Sequence, residues 1–252
     1  MALKVVINHF RSYTRPLEVL LASLVRVNAS SATILIGGGY GQERPPRERE
    51  LCGCRLVVLT GSHSNFDYHA FDYLRRYRDH ELVRADGYLL IHDTVVAMPG
   101  FPGISADVFR RYALVRTSGA LHSNIVAFSH AALARFPSIP ALSKAEAIVY
   151  EQEQRLFQPF NTNETLKLPR RTCPSKEDVY RTGHARHRCI YPAFHLLKFF
   201  AHRIMGDIEG DVRANGLPCK RAHSCPVPAA SRSAEAPVAR LVASESCAAL
   251  PP

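Results

Sequence analysis

No stretch of this 252-residue sequence is long and apolar enough to cross a bilayer. The longest apolar run near the start, residues 17 to 25, contains Glu18 and falls well short of a span of roughly 20 residues. No basic leader with a cleavable apolar segment precedes the strand-like Met1-Ala2-Leu3-Lys4-Val5-Val6-Ile7, so the expected location is cytoplasmic and reducing. A disulfide framework is also lacking. The seven cysteines (Cys52, Cys54, Cys173, Cys189, Cys219, Cys225 and Cys247) are odd in number and irregularly spaced. Nor is there a basic block. The net charge is +10, but residues 1 to 150 carry 17 basic and 12 acidic side chains and the remainder 15 and 10, so each part is +5. An excess spread this evenly does not mark a dedicated nucleic-acid interface. No Gly-Lys-Ser/Thr phosphate loop and no Gly-X-Ser-X-Gly elbow occurs.

What is present reads as an ordinary globular chain. Apolar residues make up 46% and charged residues 21%, and the length leaves room for one large domain or one domain with a small appendage. Five short runs, at residues 3–7, 33–36, 56–59, 88–91 and 124–128, are rich in Val, Ile and Leu without polar alternation. Such runs are expected for strands buried on both faces. Between the first two, Leu17, Leu20, Leu21, Leu24 and Val25 recur at helical spacing, with Thr14 as an N-cap and Pro16 in the first turn. After the third, Phe66, Ala70, Tyr73, Leu74 and Tyr77 repeat that spacing behind Ser62 or Ser64 as a cap. Alternating strands and helices predict an α/β fold, a doubly wound and mostly parallel Rossmann-like sheet flanked by helices, with ligands outside the carboxyl ends of its strands.

Residues 141–157 and 191–204 are expected to be helical, the second strongly apolar. From about Ala214 ten Ala and six Pro occur with no aromatic residue. This composition predicts a disordered tail over 214–252. The expected organisation is one α/β domain over 1–213, with a nucleotide-binding part at 1–136 and an acceptor-side part at 137–213.

The predicted strand ends carry the informative residues. They are Asn8-His9-Phe10-Arg11-Ser12-Tyr13, Gly37-Gly38-Gly39-Tyr40-Gly41, Thr60-Gly61-Ser62-His63-Ser64-Asn65 and His92-Asp93-Thr94. The strand Gly87-Tyr88-Leu89-Leu90-Ile91-His92-Asp93-Thr94 ends in an acid, which a rigid strand presents at the crevice to a divalent cation or a sugar hydroxyl. With the strand order, this resembles the GT-A-type nucleotide-sugar glycosyltransferases, in which an Asp-X-Asp-like motif ends the corresponding strand and binds metal and nucleotide sugar. The resemblance covers residues 5 to 136, extends to 191 to 200, and implies a nucleoside-diphosphate sugar as donor, an acceptor hydroxyl, and Mn²⁺ or Mg²⁺ as cofactor. It implies nucleotide contacts from Asn8, His9, Tyr13, Asn65, Asp67, His92, Asp93 and Thr94, with Asp93 the metal ligand. One departure stands out: Val95 occupies the place of the second carboxylate. His92, His122, Asp86 or the diphosphate itself would then have to complete a metal site.

Transfer with inversion needs a general base near the acceptor hydroxyl, for which His122, Glu146 and Glu151 are candidates by position. Arg186, Arg188 or Lys198 could neutralise a diphosphate leaving group if no metal binds. Other readings stay open. Asp93 could simply cap the next turn, and a silent module could keep the pocket without turnover. The Gly37 to Gly41 turn resembles that of methyltransferases using S-adenosylmethionine, although such turns follow the first strand and open a helix, whereas Pro45-Pro46 interrupts here. Cys52-Gly53-Cys54 and the group His184, His187, Cys189 lack the spacing of a structural zinc site.

Overall fold

The computed structural model describes residues 2–11, 14–29, 33–62, 68–117, 125–139, 142, 146, 149–150, 155–169 and 187–200. The expected tail over 214–252 lies outside them, as does most of the helix expected over 141–157. The fold is mixed α/β. In its main sheet, β1 (Leu3–Phe10), β2 (Thr33–Gly38), β3 (Arg44–Leu51), β4 (Cys54–Gly61), β5 (Gly87–His92), β7 (Leu114–Thr117), β8 (Val126–Ser129) and β9 (Thr165–Leu168) lie in the order β3-β4-β2-β1-β5-β8-β7-β9. A smaller sheet has the order β10-β11-β6, from β6 (Val95–Ala97), β10 (His187–Tyr191) and β11 (Leu196–Phe200).

The four central strands β4, β2, β1 and β5 run parallel, and β8 next to β5 is antiparallel. The lack of polar alternation in the central strands has a direct cause, since both faces are covered. Val5 and Ile7 of β1, Leu35 of β2 and Leu89 and Ile91 of β5 pack on α1 (Thr14–Arg26). Val6, Ile34, Ile36, Tyr88 and Leu90 point the other way, towards α2 (His69–Tyr77) and α3 (His130–Leu133). Leu17, Leu20, Leu21 and Leu24 of α1 are fully buried, and each stabilises the fold by about 2 kcal/mol. Helix α1 stops where Asn28 takes a left-handed conformation at φ 57°, with the Ala29 N–H returning to the Leu24 carbonyl.

Three expectations need correction. The chain after Gly41 is not simply interrupted by Pro45-Pro46, because Arg44–Leu51 forms edge strand β3. Proline is tolerated at a sheet edge, and here the register shifts between Arg44 and Arg47. Cys52 and Gly53, both at positive φ, are the two-residue turn of the β3–β4 hairpin, and Cys54 is buried with its thiol directed at the Leu21 carbonyl. Helix α2 begins at His69 behind Tyr68, with no side-chain cap, so neither Ser62 nor Ser64 caps it.

The third correction is the helix expected over 191–204. Residues Pro192–Phe194 make one 3₁₀ turn, His195 is left-handed at φ 49°, and Leu196–Phe200 is a strand paired with both β10 and β6. An unbroken apolar run does not by itself distinguish a buried helix from a buried strand. The hairpin is seated by close backbone approach at Gly103. A Cβ there would stand 2.2 Å from the Ala193 carbonyl oxygen, at φ 71°. The Met98 N–H donates to the His195 carbonyl at 2.9 Å. Among the described residues no helix is long and apolar enough to cross a membrane.

Candidate functional site

Because β4, β2, β1 and β5 are parallel and in register, their carboxyl ends meet along one edge. His9 pairs with Gly37, which pairs with Thr60, while Asn8 pairs with both Ile36 and His92. Strand alternation then divides the polar residues between the two faces. His9 continues the α1 side of Val5 and Ile7. Asn8 and His92 continue the α2 side, where Phe10 meets the His69 ring edge-on at 5.1 Å and His69 meets Tyr73 at 5.9 Å.

The tightest cluster is on the α1 side. Asp93 Oδ2 lies 2.9 Å from His9 Nδ1 and accepts a second hydrogen bond from the Phe10 N–H at 3.2 Å. The Asp93 N–H in turn donates to the Asn8 carbonyl at 3.1 Å, so the carboxylate clamps the end of β1 to the end of β5. His9 is fully buried and the Asp93 side chain 4% exposed. On its far side, His9 Nε2 lies 2.9 Å from the Tyr40 hydroxyl. A carboxylate only accepts, which places the Nδ1 proton between His9 and Asp93. In the neutral ring, Nε2 then accepts from the phenol.

Burial pushes the Tyr40 phenol up to about 12, with the Arg11 guanidinium pulling it down and the Asp93 carboxylate adding to the rise. The phenol therefore keeps its proton at neutral pH and can donate. Its ring occupies space that only glycine leaves open: a Cβ at Gly37 would stand 2.9 Å from Tyr40 Cε2. The Tyr40 N–H donates to the Gly61 carbonyl, tying the turn after β2 to the end of β4. Beside it the buried Thr60 hydroxyl has no hydrogen-bond partner among the described residues.

The small sheet adds a cation. Lys198 of β11 is buried, lies in register with Val95 of β6, and donates from Nζ to Thr94 Oγ1 at 3.2 Å. A residue more than a hundred positions away is thereby delivered to Thr94, the residue after Asp93. Of the nucleotide-binding residues expected from sequence, Asn8, His9, His92, Asp93 and Thr94 share this edge. Tyr13, Asn65, Asp67, His122 and Glu151 lie outside the described residues, as do Arg186 and His184. Glu146 is exposed and so is no part of the buried cluster. Asp86 sits before the start of β5, at the opposite edge, where it accepts from the Ala2 N–H. It cannot assist Asp93. Tyr40 was given no role on sequence grounds, and only the folding of its ring over Gly37 exposes one.

Among the described residues the donors do not assemble a divalent-ion site. Asp93 Oδ2 already serves His9 and Phe10, Val95 is buried in the apolar core, and no group of three His, Cys, Asp or Glu that could hold a metal exists among the described residues. The Gly37 to Gly41 turn leads from β2 into edge strand β3 and opens no helix, which removes the structural context of the methyltransferase reading. A cavity of about 470 Å³ lies at the opposite edge, lined by Lys4, Thr33, Glu48, Arg49, Arg55 and Glu81 among others. It has volume and mixed charge, whereas the convergent buried polar groups are at the carboxyl edge.

Solved structures that resemble the chain include the glycosyltransferase GlyE of Streptococcus pneumoniae TIGR4, at 11% identity and TM-score 0.39, and its apo form, at 10% and 0.38. Each match covers 66% of this chain and 46% of the other, so this chain spans about half the length of those proteins. Likeness at this level carries no weight for chemistry. No family model and no curated protein matches the chain.

Proposed function

We propose that this protein is glycosyltransferase-like and binds a nucleoside-diphosphate sugar at the carboxyl edge of β4, β2, β1 and β5, for transfer of the sugar to an acceptor hydroxyl. The observation that carries this reading is the delivery of buried Lys198 to Thr94, beside the strand end that closes on Asp93. A fixed ammonium in a site shielded from water stabilises the charge that develops on a departing diphosphate. Ligands of open α/β sheets bind at this edge. The nucleoside would lie towards Asn8, His9 and Tyr40, and the diphosphate towards Thr94 and Lys198.

Calorimetric titration of the full chain with UDP and GDP, on wild type and Lys198→Met, tests the reading. Nucleotide binding at least tenfold weaker in the variant, whose side chain keeps the apolar stem, is expected. Equal affinity in the two proteins, or no binding to either, rejects it. A second reading, binding without turnover, is favoured by Val95 in place of a carboxylate. Release of free sugar or glycosylated acceptor from UDP- and GDP-sugars separates the two, since the silent module binds and releases nothing.

A further inference from the structure

The residue whose position most suggests a metal ligand is engaged in a different task. Asp93 Oδ2 faces inward, to His9 Nδ1 at 2.9 Å and the Phe10 N–H at 3.2 Å, and His9 passes the contact on to the Tyr40 hydroxyl at 2.9 Å. Each member is held from a different strand end: Asp93 from β5, His9 from β1 and Tyr40 from the turn after β2. A buried carboxylate in this arrangement locks the imidazole tautomer and fixes its ring, and the ring in turn fixes the phenol. Gly37 leaves the space in which the Tyr40 ring lies, and Tyr40 is the one member of the chain that reaches the surface.

We propose that Asp93 is a positioning residue rather than a metal ligand, setting Tyr40 through His9 as a wall of the nucleotide site, and that nucleotide binding needs no divalent metal. The nucleotide site and its freedom from metal rest on the nucleotide reading above; the fixing of Tyr40 by Asp93 through His9 stands on the geometry alone. The positive charge that a metal would supply comes from Lys198. Sequence position favoured the opposite assignment, because an acid at this strand end is where a metal-binding motif would stand. The hydrogen bonds of Asp93 and the burial of Val95 turn the acid inward.

The test uses the full chain and three readouts. Mn²⁺ alone is titrated into wild type and Asp93→Asn, with free Mn²⁺ followed by electron spin resonance. Equal titration curves are expected, and a binding event present only in wild type overturns the proposal. Next, ¹⁵N-labelled protein is examined for the protected His9 Nδ1–H resonance. That resonance is expected in wild type and Tyr40→Phe and absent in Asp93→Ala, which removes the acceptor. Its absence from folded wild type, or its persistence in folded Asp93→Ala, overturns the positioning role. Should Asp93→Ala not fold, Tyr40→Phe carries the comparison, with a shifted Nε2 resonance expected and an unchanged one contradicting the chain.

Last, UDP affinity is measured in EDTA and in Mn²⁺. It is expected to differ by less than about twofold, while Tyr40→Phe weakens it about fivefold, the loss of roughly one hydrogen bond. Metal-dependent binding that Asp93→Asn abolishes overturns the inference. If UDP binds to nothing, the nucleotide reading and the metal-free claim built on it fail together. The first two readouts still decide what Asp93 does.

Discussion

On the α1 face the sheet buries aliphatic side chains, Val5, Ile7, Leu35, Leu89 and Ile91 against the leucines of α1, and at its carboxyl edge that face ends in the hydrogen-bonded chain Asp93, His9, Tyr40. On the α2 face it buries rings: Phe71, Tyr88, Phe128, Phe136 and Phe160 interlock at centroid distances of 5.0 to 5.7 Å. The same strands serve both faces, and at the carboxyl edge both end in buried polar side chains, Asn8 and His92 on the α2 side and His9 and Asp93 on the α1 side. The difference is that the α2 side is secured by aromatic packing, while the α1 side carries the buried carboxylate. A buried carboxylate and imidazole are costly unless each is partnered, and here the partners come from neighbouring strand ends.

Four substitutions or conditions break or sharpen this contrast. The largest effect is expected from Phe128→Ala, which removes the ring touching Phe71, Tyr88 and Phe136. A loss of about 3–5 kcal/mol in urea unfolding is expected, with UDP affinity of the folded fraction unchanged. Asp93→Ala touches none of those rings, yet it leaves buried His9 and the Phe10 N–H without their acceptor. It is expected to cost about 3 kcal/mol in the same assay and to release Tyr40, seen as faster amide exchange at Tyr40 and Arg11. A cost under roughly 0.5 kcal/mol would mean that the clamp is not structural.

Gly103→Ala is next. It forces a Cβ against the Ala193 carbonyl at a positive φ, which costs about 1–3 kcal/mol. It should displace the β10–β11 hairpin and with it Lys198, so nucleotide affinity falls although no residue assigned to the nucleotide is itself substituted. Unchanged affinity would break the link between hairpin and site. The smallest effect is a pH dependence remote from both faces. Arg135 beside Glu164, with the Asn161 N–H, holds the Glu164 carboxyl down at about 2 from 4.5. A depressed acid stabilises the fold above its unfolded pKa, and that contribution fades as pH falls from about 4.5 towards 2. Glu164 is exposed to screening solvent, so the urea midpoints of wild type and Glu164→Gln should converge only slightly on acidification across this window, and parallel curves would contradict the assignment.

How much of this is legible in the sequence follows from what each signal encodes. The central strands β1, β2, β4 and β5 were readable because burial on both faces removes polar alternation, and α1 because its leucines recur at helical spacing. Strand β3 was not, since charge and proline at a sheet edge look locally like a loop. Strand β11 was misjudged because its apolar run carries no period and its partner β6 lies about a hundred residues away. Asn8, His9, His92, Asp93 and Thr94 were legible as a group by their places at strand ends. The direction in which Asp93 turns was not, because it depends on the His9 ring and the Phe10 amide across a strand pairing. Tyr40 stands in the glycine-rich strand end, but nothing local shows that its ring folds over Gly37 to reach His9.

Amide hydrogen exchange of the full chain with and without saturating UDP tests the central claim most directly, because it locates the ligand without presuming any residue's role. Slowed exchange at residues 8–11, 37–41 and 92–95, with no change around Lys4, Thr33 and Glu81, is the predicted result. Protection at that opposite edge, or at neither edge, would contradict the account.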